Sequence, residues 1–227
     1  MAQKNANSLL KGKRIRFIHP HPDDSIADSQ LYGHDADEAL LTRGEKGRNP
    51  KHRVAEEQAA AAILGFKGVI LYPGRDGYVK EDVDELARMI ADDAIRDGVD
   101  VLASTLFTDH PDHIATTKIT IEAARRMARV GRAVGVLLIR HGNEGEYTTE
   151  ATQESVTRAF QAANQHRQWR MRPHIHEDWP VVGGTSIHPD DLAALQPYPL
   201  LRDASYTWLP PEHFLVEQAE SLALAAR

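Results

Sequence analysis

The chain of 227 residues contains no cysteine. Disulfides and thiolate metal sites are therefore excluded, and any metal must be held by His, Asp or Glu. Long apolar runs are missing too. No stretch approaches the roughly 20 apolar residues of a membrane helix, and the opening MAQKNANSLLKGKR has no apolar core of signal-peptide length. The expectation is a cytoplasmic protein with no membrane partner and a polar leader over residues 1–13. A basic surplus is also lacking: 27 Lys and Arg against 33 Asp and Glu leave a net charge of −6 and a pI near 6.0. That balance gives no stripe of positive charge for nucleic acid. With no repeat, low-complexity tract or linker, residues 1–227 are expected to form a single domain, and 41% hydrophobic content supplies a core for it.

Short apolar segments bounded by glycine or charge read as strands at 14–19, 68–72, 99–106 and 133–139. Helical patterns alternate with them. One spans 50–65, with Pro50 suited to a first turn and Gly65 to a stop. Another spans 81–97, where Val83, Leu86, Ile90, Ala94 and Ile95 make one apolar stripe before Gly98. A third covers 114–129, and weaker patterns follow at 151–170 and 211–226. The alternation predicts an α/β fold, a Rossmann-like three-layer α/β/α arrangement around a mostly parallel sheet.

Ligands of such sheets bind beyond the carboxyl ends of the strands. Two polar clusters lie there. HPHPDD (residues 19–24) follows the first strand, and DHPDH (residues 109–113) follows the strand VDVLASTLF. Buried carboxylates need a cation, a metal or open water beside them, so the adjacent Asp23 and Asp24 ask for a partner. His21, Asp24 and His113 can supply the three protein ligands of a catalytic zinc site, or of iron(II) or another divalent metal. Asp23 and His110 are then left over, and a metal-dependent hydrolase needs such a carboxylate and second imidazole nearby.

The pair PHPDD and HPDH, each after a strand, resembles the signature of the LmbE-like, or PIG-L, family of metal-dependent N-deacetylases. TRGEKG (residues 42–47) resembles the family's T-x-G-E-x-G loop, and RVAEEQAAAAILGF followed by YPGRDG resembles its R-x-x-E helix, LG turn and Asp-Gly. The likeness runs from Arg14 to Ala124. It implies that His21, Asp24 and His113 bind zinc, that Asp23 is the general base, and that His110 assists the oxyanion or leaving group. It places Arg53 and Asp76 near the substrate, and makes 140–227 a region of variable substrate loops with a C-terminal helix.

Three departures stand out. Ser25 replaces the Glu that usually follows HPDD, Thr108 stands where some members carry a Tyr, and the interval 25–37 is short for a crossover helix before a strand in EALLTRG. A second HPDD at 188–191 follows Gly-Gly rather than a strand, so helix capping explains it. His166, His174 and His176 read as surface or loop residues, His34, Asp35 and Asp37 as a solvated connection, and Arg53 with Glu56 either as an exposed helix pair or as a substrate contact. The resemblance implies a zinc-dependent hydrolase acting on a small N-acetylated sugar or glycoconjugate. Alternatives are hydrolysis of a non-sugar N-acyl metabolite or antibiotic, or a binding protein without turnover, and a homo-oligomer stays open.

Overall fold

The computed structural model describes residues 4–31, 33–47, 50–105, 110–141, 147–149, 152–166 and 204–214. Its first elements are β1 (Lys4–Asn5), α1 (Ala6–Leu10), β2 (Arg14–His19), a 3-10 segment (Asp24–Leu31) and β3 (Asp35–Leu40). Next come α2 (Pro50–Leu64), β4 (Val69–Leu71), a 3-10 turn (Val79–Glu81), α3 (Val83–Asp97) and β5 (Val101–Thr105). The remainder is α4 (Pro111–Arg129), β6 (Gly135–His141), β7 (Tyr147–Thr149), α5 (Gln153–Ala163) and β8 (Ala204–Leu209). Residues 211–214 add a helical turn.

The described strands join one sheet in the order β1-β7-β8-β6-β5-β2-β3-β4. From β6 to β4 every pairing is parallel, while β8 runs antiparallel to both β6 and β7. The α/β expectation of a mostly parallel sheet holds. Chain order reverses between β2 and β5: from β2 the chain moves outward through β3 to β4, then returns to β5 on the other side. This is the switch point where open α/β sheets bind ligands, and both polar clusters sit at its rim.

Side chains of β2 alternate between two layers, as a strand requires. Ile18 joins Leu86 and Ile90 of α3 and Ile119, Ala123 and Met127 of α4 in one apolar cluster. Ile15 and Phe17 face the other way, with Ala6 and Leu10 of α1 and Ala61 of α2. The leader thus puts two side chains into the core rather than trailing as a polar tail. The amphipathic α3 ends at Gly98, whose φ of 70° closes the helix with bonds to the Ala94 and Ile95 carbonyls.

The short interval after Asp24 is spanned by the 3-10 segment, whose longer rise per residue covers ground in few residues. Strand β3 consequently starts at Asp35, earlier than EALLTRG suggested, and Asp37 is buried in it against Arg16 rather than solvated (Nε to Oδ1 2.6 Å). Helix α5 falls within the expected 151–170. Most of the expected C-terminal helix, the second HPDD, His174 and His176 lie outside the described residues, as does Thr108. Among the described residues no helix is long and apolar enough to cross a membrane.

Candidate active site

His21, Asp23 and Asp24 leave the end of β2 on a tight turn that closes when the His21 amide donates to Asp24 Oδ2 at 2.9 Å. His110 and His113 come from the start of α4, where Pro111 occupies the first turn and His110 is the N-cap. The rings of His21, His110 and His113 have centroids 5.0–5.5 Å apart, and each offers a nitrogen within 4.8 Å of the others.

Asp24 lies between two of these rings. Its Oδ2 is 3.5 Å from His21 Nδ1, and its Oδ1 is 3.5 Å from His113 Nε2. Those spacings are long for hydrogen bonds but match the edge of a tetrahedron, about 3.4 Å for ligands about 2.1 Å from a central ion. The two spacings are to different Asp24 oxygens; imidazole and carboxylate are donor types that a divalent cation such as zinc accepts. Among the described residues the sets whose ligand atoms all lie within 4.8 Å of one another are His21, His110 and His113, and His21, Asp76 and Asp112. His21 Nε2 meets Asp112 Oδ2 at 3.1 Å, which leaves Nδ1 for that cation. Asp112 is fully buried and also accepts from the Gly77 and Val79 amides, at 2.6 and 3.3 Å. The carboxylates around His21 outweigh its burial and push its imidazole up to about 10 in the metal-free protein, whereas burial draws His113 down.

His110 is exposed at the rim, and its Nδ1 accepts the Asp112 amide at 3.2 Å. In that geometry Nδ1 is the acceptor and Nε2 is the nitrogen left to donate. Asp23 is strapped from α2: Arg53 Nη2 donates to its Oδ1 at 2.7 Å and to the Pro22 carbonyl. Burial and the neighbouring Asp24 push the Asp23 carboxyl up to about 6, against the pull of Arg53, and a bound cation would lower it. Donors suited to a divalent cation, a buried carboxylate and a second imidazole are groups that amide hydrolysis can use.

The sequence matches the family described as PIG-L: GlcNAc-PI de-N-acetylase over residues 16–124. The match supports an enzyme that hydrolyses N-acetyl groups. Among solved structures, the N,N'-diacetylchitobiose deacetylase of Pyrococcus horikoshii superposes with a TM-score of 0.64 at 17% identity, covering 92% of this chain and 88% of that one. A conserved protein of Thermus thermophilus gives 0.58 at 22% identity, over 73% and 84%. The 4-carboxy-2-hydroxymuconate hydratase of Pseudomonas putida gives 0.54 at 19% identity, over 87% and 96%. At these identities the likeness is one of fold, and the fold alone does not select among the reactions. No curated protein matches the sequence at a significant level.

The glycines of the PIG-L loop TRGEKG have a steric reason. A Cβ on Gly44, whose φ is 66°, would lie 2.6 Å from Arg53 Nε, and one on Gly47 would lie 1.8 Å from Nη1. The loop passes over the guanidinium only because side chains are missing there. Thr42 anchors it, donating to the Pro20 carbonyl at 2.8 Å and accepting the Gly44 amide at 3.1 Å. Arg53 is therefore buried rather than part of an exposed pair with Glu56. Asp76, held by the Lys46 amide at 2.8 Å, reaches within 3.4 Å of His21 Nε2.

Sequence reasoning missed three residues of this cluster and its surroundings. Asp112 lies inside HPDH between the two imidazoles, and its place in the first turn of α4 was the available signal. Glu57, fully buried, accepts the Asp23 amide at 2.6 Å. His166 is likewise fully buried, not a surface residue, and its Nε2 stands 3.3 Å from Glu57 Oε2.

Proposed function

We propose that the chain is a metal-dependent hydrolase that removes an N-acetyl group from an amino sugar or glycoconjugate. One observation carries the reading: Asp24 stands 3.5 Å from an imidazole nitrogen of His21 and of His113, and the adjacent Asp23 is strapped by Arg53. Zinc suits nitrogen and carboxylate donors of this kind, and iron(II) accepts the same set.

A divalent cation in that set would polarise the acetamide carbonyl and make the attacking water more acidic. Asp23 takes a proton from that water as its oxygen bonds to the carbonyl carbon. His110 donates from Nε2–H to the carbonyl oxygen as negative charge builds there. When the C–N bond breaks, Asp23 returns the proton to the nitrogen, so acetate and a free amine leave. Arg53 acts on the substrate through Asp23, and Asp76 is the rim carboxylate assigned to the sugar.

The test is elemental analysis of reconstituted protein joined to acetate release from N-acetylglucosamine and N,N'-diacetylchitobiose. The expected result is about one divalent metal per chain, with turnover lost on chelation and restored by zinc. A chain that takes up no metal, or metal-loaded protein that releases no acetate from any N-acetylated amino sugar, contradicts the reading.

A further inference from the structure

Asp23 has a φ of 96°, and no other described non-glycine residue has a positive φ. An L-residue stays in such a conformation only when its surroundings hold it there. Helix α2 does so from positions four apart, which share one helix face. Arg53 takes the Pro22 carbonyl and the Asp23 carboxylate, while Glu57 takes the Asp23 amide at 2.6 Å. Both polar ends of the Pro22–Asp23 peptide group, its carbonyl and its N–H, are therefore tied to the same helix.

Glu57 is itself embedded. His166, at the carboxyl end of α5, lies 3.3 Å from its Oε2, and the fully buried Ser25 sits beside the same carboxylate. Behind it His19 bridges two more buried acids, with Nδ1 2.8 Å from Glu38 and Nε2 2.6 Å from Asp28. So many ionisable groups in one dry layer are costly unless each one is fixed by another. The proposed reaction gives none of them a step.

We infer that Glu57, braced by His166, is a positioning residue: it fixes the left-handed turn at Asp23, so that Asp23 and Asp24 point to one centre in different roles. The inference rests on the hydrolase reading for those roles, but the clamp is testable without it. Ser25 stands beside the Glu57 carboxylate, and the carboxylate that takes the Asp23 amide arrives from α2.

Amide hydrogen exchange reads the clamp directly. In the parent the Asp23 amide should be protected. Glu57→Ala should lower that protection at least tenfold, while Glu57→Gln, which retains an oxygen at the same reach, should stay within about threefold of the parent. Zinc affinity by chelator competition reads the consequence. Glu57→Ala should weaken it by about 10- to 100-fold, the range for a group that orients ligands without touching metal. Glycine adopts a positive φ without strain, so in an Asp23→Gly background the same Glu57→Ala change should cost less than about threefold.

Equal protection of the Asp23 amide in parent and Glu57→Ala, both folded by circular dichroism, would overturn the inference. An equal loss of zinc affinity in both backgrounds would reduce Glu57 to a general structural group and overturn it as well. A parent that binds no metal but loses Asp23 protection in Glu57→Ala would keep the clamp and sink the hydrolase reading.

Discussion

The two layers on either side of the sheet are built from opposite materials. The α3 and α4 layer is a continuous apolar cluster in which Ile18, Leu86, Ile90 and Ile119 are fully buried, and its Arg16–Asp37–Asp97 charge group lies where β2 and β3 meet α3. The α1, α2 and α5 layer has a smaller apolar patch and buries His19, Asp28, Glu38, Glu57 and His166 beside it. Burial of apolar surface favours folding, whereas burial of charge at best breaks even. One layer therefore carries stability, while the other gives some up to hold the turn bearing Asp23 and Asp24.

The most severe test of that contrast is Ile90→Ala, which empties part of the apolar layer far from the turn. Thermal unfolding should show a loss of about 2–5 kcal/mol, with zinc affinity unchanged in the folded protein. Were zinc affinity to fall as well, the two layers would not be separate in role. The next test removes charge at the rim. Asp112→Asn should weaken zinc binding about 10- to 100-fold in a chelator titration, because His21 loses the carboxylate that orients its ring. Its melting temperature should move far less than that of Ile90→Ala.

The smallest effect concerns the charge group on the apolar side. The Arg16 guanidinium holds Asp97 below its ordinary value of 3.8, with help from Arg96 and against partial burial. A carboxylate lowered in the folded state contributes stability above its unfolded value and loses it as pH falls through the folded one. Asp97→Asn should therefore cost up to about 1 kcal/mol at neutral pH and flatten the loss of stability below about pH 4. Urea denaturation at pH 3 and pH 7 measures this, and a parent-like difference between the two pH values would show that the pair is not coupled to folding.

The sequence brought the candidate metal ligands together more fully than it showed what surrounds Asp23. His21, Asp24 and His113 were legible because their motifs follow apolar strands on one rim, and a parallel sheet brings such rims together. Arg53 was ambiguous because its spacing to Glu56 is also that of an ordinary surface pair, and only the glycines at 44 and 47 hint that a guanidinium passes beneath. Glu57 and His166 were illegible for a plainer reason: a buried ionisable residue looks the same in sequence as a solvated one. The early start of β3 was missed because a 3-10 crossover leaves no helical period to read.

At the centre of this reading the adjacent aspartates divide the work, Asp24 holding metal and Asp23 moving the proton. The direct measurement is metal content and acetate release for Asp23→Asn and Asp24→Ala side by side. Asp23→Asn is predicted to retain the parent's metal while turnover falls about 100- to 10,000-fold, and Asp24→Ala to lose the metal. An empty site in Asp23→Asn, together with retained metal and activity in Asp24→Ala, would contradict it.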